Sequence, residues 1–318
     1  MPARNDRLGY LLVTFGASLF VINAGVSRVI LRSGVDAAEL TSLRVTGTAI
    51  CLALVGMAVR PAALRLPRGR QLLLVVALGF TGVAMLQWTY FVAIDRLSLG
   101  MALLLEYTAP VLVALYARFV QREQVRTRLW FALALSVLGL AVVAQIWQGF
   151  TLDPVGVVAG FGAALSFSAY FLLGEHGVSR QDPLTVIFWA FVTAAVAFNL
   201  VSPVTGLGWA EASATTSLLG ALDAWSAPIW MLLGWVVVLG TLVPFGVELF
   251  ALQHLRATTV TTVAMLEPVG ASILGWAWFG ESLSLVQSLG GLAVVTGIFL
   301  AASARRTHPT LEQPAAIT

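Results

Sequence analysis

The chain has 318 residues, of which 59% are apolar and only 10% charged, and it carries a formal net charge of +3 with a mean hydropathy of +0.91. So apolar a chain cannot keep a water-facing surface free of large hydrophobic patches, and its basic residues lie in short loops rather than in a stripe; this places it in a bilayer and argues against nucleic-acid binding. All 18 basic residues are arginine, so a P-loop Gly-Lys-Ser/Thr, a Schiff-base lysine and a Ser-Lys dyad are excluded.

Ten apolar stretches are predicted to span the membrane: 8–30, 37–59, 72–94, 99–120, 128–147, 154–175, 184–206, 227–251, 257–279 and 283–303. The first follows a short basic start, MPARNDR, which could open a signal peptide. It is longer than a signal core and lacks a small-x-small cleavage site, so it is read as a retained helix. Most connections are short and make successive helices antiparallel neighbours; the longer one, from Gly206 to Pro228, carries Trp209 and Trp225, residues suited to a membrane interface. The last residues, 304–318, read as a disordered cytoplasmic tail. The lone Cys51 has no partner for a disulfide or a metal site and is read as a small core residue.

Arginine placement sets the orientation. With the N-terminus inside, fourteen arginines fall in inner segments (4, 7, 60, 65, 68, 70, 118, 122, 126, 128, 180, 256, 305 and 306) against Arg28, Arg32 and Arg96 outside, while Arg44 lies within a span. The positive-inside rule then puts both termini in the cytoplasm.

Shifting the chain by 158 residues places Gly82 on Gly240, Ala93 on Ala251, Leu97 on Leu255, Pro110 on Pro268, Glu123 on Glu281 and Gly139 on Gly297 without a gap. Proline and glutamate are scarce here, so their match at one position of the fourth and ninth stretches carries the repeat. Five spans per half is odd, so the halves, 8–147 and 154–303, insert with opposite topology. The fold expected is an all-α integral membrane protein of ten transmembrane helices in two inverted five-helix repeats, with a site at the midplane between them.

Arg44 in LTSLRVTGTAI, the segments Pro110 to Glu123 and Pro268 to Glu281, and the glycine-bearing helices around Gly139, Gly290, Gly291 and Gly297 resemble the drug/metabolite transporter superfamily in its ten-helix, EamA-type branch. The resemblance covers nearly the whole chain. It implies an inner-membrane carrier, typically an exporter of metabolites or amino acids. Its central cavity would be lined by the third, fourth, eighth and ninth helices with parts of the first and sixth. Glu106 and Glu267 are not part of that family pattern, so their role rests on physics.

Glu106 and Glu267 lie inside apolar spans, where an ionised acid costs roughly 2.5–3.5 kcal/mol near the helix centre and is tolerated when it faces a cavity or a partner. In the repeat register Glu267 falls on Ala109, one helical turn from Glu106, so the two acids occupy similar faces of equivalent helices. Glu248 falls on Tyr90, which shares a face with Gln87. A substrate pocket is therefore expected from Glu106, Glu267, Glu248, Gln87 and Tyr90, with Asn23 and Tyr170 added from the first and sixth helices. The competing readings are structural: the acids hydrogen-bonded within the core, or Glu248 ion-paired with Arg44. Arg44 otherwise snorkels or holds two helices together. Glu123 and Glu281 are expected to cap the helices that follow them. Pro110, Pro244 and Pro268 each remove a backbone hydrogen bond within a span and offer a bend.

The function expected is secondary transport, with the bilayer and a small-molecule substrate as partners, protons as a further candidate, no cofactor, and a monomer or homodimer as the unit. Zwitterionic amino acids or organic cations fit three acids and one arginine better than phosphorylated ligands, which need several cations. An intramembrane transferase is the rival class. It requires paired metal-binding acids or a nucleophile and base, whereas the six aspartates are isolated and no histidine sits mid-span. A membrane sensor or assembly protein is the third class, one that makes no use of a polar site built from both halves.

Overall fold

Three of the isolated aspartates and one asparagine start helices. Asn5 accepts from the N–H of Leu8 and opens α1 (Asp6–Arg32). Asp36 and Glu39 form a reciprocal capping box on α2 (Ala37–Val59), and Asp153 and Asp182, each followed by proline, cap α8 (Pro154–Val178) and α9 (Pro183–Asn199). Each side-chain oxygen satisfies an N–H that the first turn would otherwise leave free.

The structure is a computed structural model that describes residues 5–97, 99–124, 126–147, 153–204, 213–280 and 284–303. It is mostly helical, in keeping with the all-α reading. Eight stretches are long and apolar enough to cross a membrane, while Thr127–Val143 and Leu285–Ala301, in the fifth and tenth predicted spans, are apolar but shorter than 18 residues.

Four of the long rods are interrupted. One consists of α3 (Arg70–Ala77), a π-helical segment Leu78–Met85 and α4 (Leu86–Arg96). Its counterpart 158 residues on consists of α10 (Ile229–Val237), a π-helical segment Val238–Leu242 and α11 (Val243–Ala251). A second pair breaks at a turn: α5 (Leu99–Glu106) and α6 (Ala109–Phe119) are separated by Tyr107 and Thr108, and α12 (Ala257–Ala264) and α13 (Leu266–Phe279) by Met265. Pro110, Pro244 and Pro268 each sit in the first turn after the interruption, where the missing N–H costs no helical bond.

Helices from the two halves of the sequence pack against one another. α7 (Thr127–Val143) crosses α14 (Leu285–Ser303), α2 packs on α9, α8 lies against the α3–α4 and α5–α6 rods, and α1 lies against α11 and α13. Glycine permits the closest of these approaches. A Cβ on Gly139 would stand 2.7 Å from the carbonyl oxygen of Gly290, and one on Gly82 would meet the backbone of Tyr170. Close packing, expected for Gly156, Gly160, Gly290, Gly291 and Gly297, is found at all of them but Gly291, where a Cβ would meet only Val269 Cγ1 at 3.4 Å.

The connection after α9 carries a hairpin, in which Thr215–Ser217 (β1) and Ser226–Pro228 (β2) pair antiparallel. This hairpin packs through Leu218 and Ala227 on α1, α2 and α10, and the indole N–H of Trp278 donates to the carbonyl of Leu218 at 3.0 Å. Trp225 is 70% exposed at its tip; Trp209 and the tail 304–318 lie outside the described residues.

Candidate functional site

The helix breaks bring the polar residues of the two halves together. Freed from regular helix at the end of α5, Tyr107 reaches across to the ninth predicted span, and its hydroxyl donates to Glu267 Oε2 at 2.6 Å. The other oxygen of Glu267 is buried and has no hydrogen-bond partner among the described residues. Glu106, one residue before Tyr107, is half-buried, as is Glu267. A groove of about 410 Å³ between α1 and α13 is lined by Leu266, Val269, Gly270 and Ile273, and Glu267 is not among its lining residues.

Glu248 is fully buried in α11, and neither of its carboxyl oxygens has a hydrogen-bond partner among the described residues. It packs near Gly16 of α1, where a Cβ would stand 3.2 Å from the glutamate Cγ. Glu267 is within electrostatic reach of both Glu248 and Glu106, and Tyr107 is within reach of all three acids. The three carboxyl groups singled out from the sequence therefore occupy one neighbourhood.

An aromatic chain walls this neighbourhood. Phe20 of α1 meets Phe245 edge-on at 5.1 Å between ring centroids, Phe245 meets Tyr170 at 5.3 Å, and Phe171 and Phe167 carry the series to Tyr107 at 5.7 Å. Edge-to-face contacts of this kind hold rings in fixed places. Tyr170 belongs to the wall: it is buried, and its hydroxyl donates to the carbonyl of Phe245 at 2.9 Å.

On the third predicted span Tyr90 is half-buried and Gln87 is 9% exposed. Tyr90 is within electrostatic reach of Arg44, Glu106 and Glu267. Asn23 is buried on α1, and its side chain packs directly on Gly240, in the π-helical segment of the α10–α11 rod.

One competing reading and one expectation are corrected. Arg44 does not pair with Glu248. Its Nε donates to Thr241 Oγ1 at 3.0 Å and its Nη2 to the carbonyl of Gly240 at 3.4 Å. Gly240 is the residue four before Pro244, which has no N–H to offer that carbonyl. Glu123 does not cap α7, whose N-terminal residue has no side-chain cap. It forms an ion pair with Arg256 at 2.5 Å instead. Beside that pair, Glu175 accepts from the N–H of Ala257 at 3.2 Å. Glu281 lies outside the described residues.

Tyr107 and Thr241 are the site residues that sequence reasoning missed. Tyr107 had a signal, since it adjoins Glu106 and precedes Pro110 at the helix break. Thr241 had only its place beside the repeated Gly240.

The sequence model of the EamA-like transporter family matches this chain twice, over residues 7–145 and 154–303. A threonine/homoserine exporter, RhtA, of Salmonella typhimurium is 29% identical over 283 residues, covering 88% of this chain and 86% of the relative. The RhtA of Escherichia coli K12 is 29% identical over 266 residues, covering 82% and 80%. A solved crystal structure with 17% sequence identity covers 94% of this chain and 97% of its own at a TM-score of 0.74, which establishes a common fold.

Proposed function

The chain belongs to the EamA-like transporter family, and from that premise we propose that it is an inner-membrane exporter of a small zwitterionic metabolite of the amino-acid type, working by alternating access. Its ten spans form two inverted five-helix repeats, 8–147 and 154–303, with both termini cytoplasmic. Glu106, Glu267, Glu248, Gln87 and Tyr90 form the substrate site, Asn23 and Tyr170 shape its wall, and the breaks at Pro110, Pro244 and Pro268 are where the rods bend. Proton coupling belongs to this reading as the use of the acids that the substrate does not occupy.

The observation that carries the proposal is the bond from Tyr107 to Glu267. It joins the two halves at the helix breaks, in the neighbourhood of both other intramembrane acids. The crosswise packing supports the two-fold arrangement, since α8 lies on the α3–α4 rod as α1 lies on α11. The names of the RhtA relatives support the substrate class.

The test is counterflow of labelled threonine and homoserine in proteoliposomes, with and without a pH gradient, at matched amounts of wild-type protein and Glu106→Gln, Glu267→Gln and the double variant. The variants are expected to insert normally and to lose transport. Normal transport by the double variant removes these acids from the site.

A further inference from the structure

Arg44 is 8% exposed inside α2, yet no carboxylate among the described residues lies within ion-pair distance of it. Its two hydrogen bonds, from Nε to Thr241 Oγ1 and from Nη2 to the carbonyl of Gly240, go to neutral oxygens. They orient the guanidinium without compensating its charge. Thr241 is itself fixed, because its hydroxyl donates to the carbonyl of Val236 at 2.8 Å. The fork is thus tied down along one edge, and Nη1 has no acceptor among the described residues.

A buried guanidinium without a counter-ion is costly, and more so within a bilayer. None of the three intramembrane acids pairs with it. Tyr90 is within electrostatic reach of Arg44 on one hand and of the half-buried Glu106 and Glu267 on the other. Separated charges of opposite sign match a ligand that is itself dipolar.

We infer that Arg44 is the carboxylate-recognising residue of the site. The substrate's α-carboxylate binds the free Nη1 edge, and its ammonium group faces Glu106 and Glu267. The inference rests on the exporter reading above and narrows it: the substrate class is a free α-amino acid, not an organic cation, which would compensate the acids and leave Arg44 alone. Lysine would keep the charge but not the planar fork that matches a carboxylate.

The experiment compares binding of L-threonine and L-threoninamide to the full-length purified protein, in mildly acidic buffer that keeps the amide's amine protonated. Titrations use wild type, Arg44→Gln and Arg44→Lys. The amide retains the ammonium group and side chain and lacks only the anionic end. Loss of a charge-assisted pair predicts that wild type prefers threonine by about tenfold or more, and that Arg44→Gln brings the ratio near one by weakening threonine alone. Arg44→Lys should fall between the two, and it decides the matter if Arg44→Gln does not fold. A ratio unchanged in the variants overturns the inference. So does equal binding of both compounds by wild type, which leaves transport of a cationic metabolite standing. Binding of neither compound by wild type overturns the amino-acid reading and this inference together.

Discussion

The hydroxyl of Tyr107 and the carboxyl group of Glu267 meet at 2.6 Å across the boundary between the two halves of the chain. Because Oε1 of Glu267 already lacks a partner, Tyr107→Phe leaves the whole carboxyl group without a donor from the described residues. An unsatisfied buried acceptor costs about 1–3 kcal/mol. Tyr107→Phe should therefore lower the thermal midpoint of the purified protein and raise the KM for transport, with membrane insertion unchanged. Wild-type behaviour in both measurements would make the bond incidental to the site.

The ion pair of Glu123 with Arg256 ties the loop after α6 to the residue before α12, with side chains 33% and 48% exposed. Pairs this open contribute about 0.2–1 kcal/mol, so Glu123→Gln should change stability little. Its importance lies in what must separate. If the arginine-rich end opens during transport, the two residues part. Joining Glu123→Cys to Arg256→Cys with a short reducible bis-thiol reagent, in a Cys51→Ala background, should stop transport, and reductant should restore it. Undiminished transport by the cross-linked protein would show that this end moves elsewhere.

Gly139 stands where α7 and α14 cross. A Cβ there would meet the Gly290 carbonyl oxygen at 2.7 Å and the backbone nitrogen of Val294 at 2.9 Å. Neither atom can step aside as a flexible side chain would, so the helices must part, and overpacking of this kind costs about 1–3 kcal/mol. Gly139→Val should lower the melting temperature, as read by intrinsic fluorescence. Gly246→Ala is the control, because its Cβ would find only Ile187 Cδ1 at 3.8 Å. Equal effects from the two substitutions would remove the crossing as the cause.

Most of the helical frame is readable from residue types whose physics is local. Apolar runs mark the rods, Asp36, Asp153 and Asp182 mark their starts, and Pro110 and Pro268 stand just after the breaks. The π-helical segment at Leu78–Met85 has no proline to announce it and shows only through Gly82 in register with Gly240. What the sequence hides is pairing at a distance. Glu123 could as well have capped α7 as found Arg256, since a loop charge is satisfied by whichever partner the packing brings. Arg44 and Glu248 look like an ion pair on paper because both are lone charges in apolar spans. Arg44 instead found Thr241 and the Gly240 carbonyl, acceptors that only the packing of α2 on the α10–α11 rod brings within reach.

Glu248 is the sharpest case of a residue whose stability and function pull apart. It is fully buried in α11, neither oxygen has a hydrogen-bond partner among the described residues, and the groups around it are Gly16, Tyr107, Tyr170 and Glu267. A buried polar group in this position costs about 1–3 kcal/mol relative to an apolar one of the same shape. Methionine has similar length and volume, and its flexible thioether adapts to the space. Glu248→Met should therefore raise the thermal midpoint while abolishing counterflow, the exchange of stability for activity expected where a strained group serves function. Glu248→Gln, which keeps the polar group, should lack the gain. A destabilised Glu248→Met would mean that the carboxyl group serves the packing of α11 on α1, and a stabilised variant with full transport would remove Glu248 from the site.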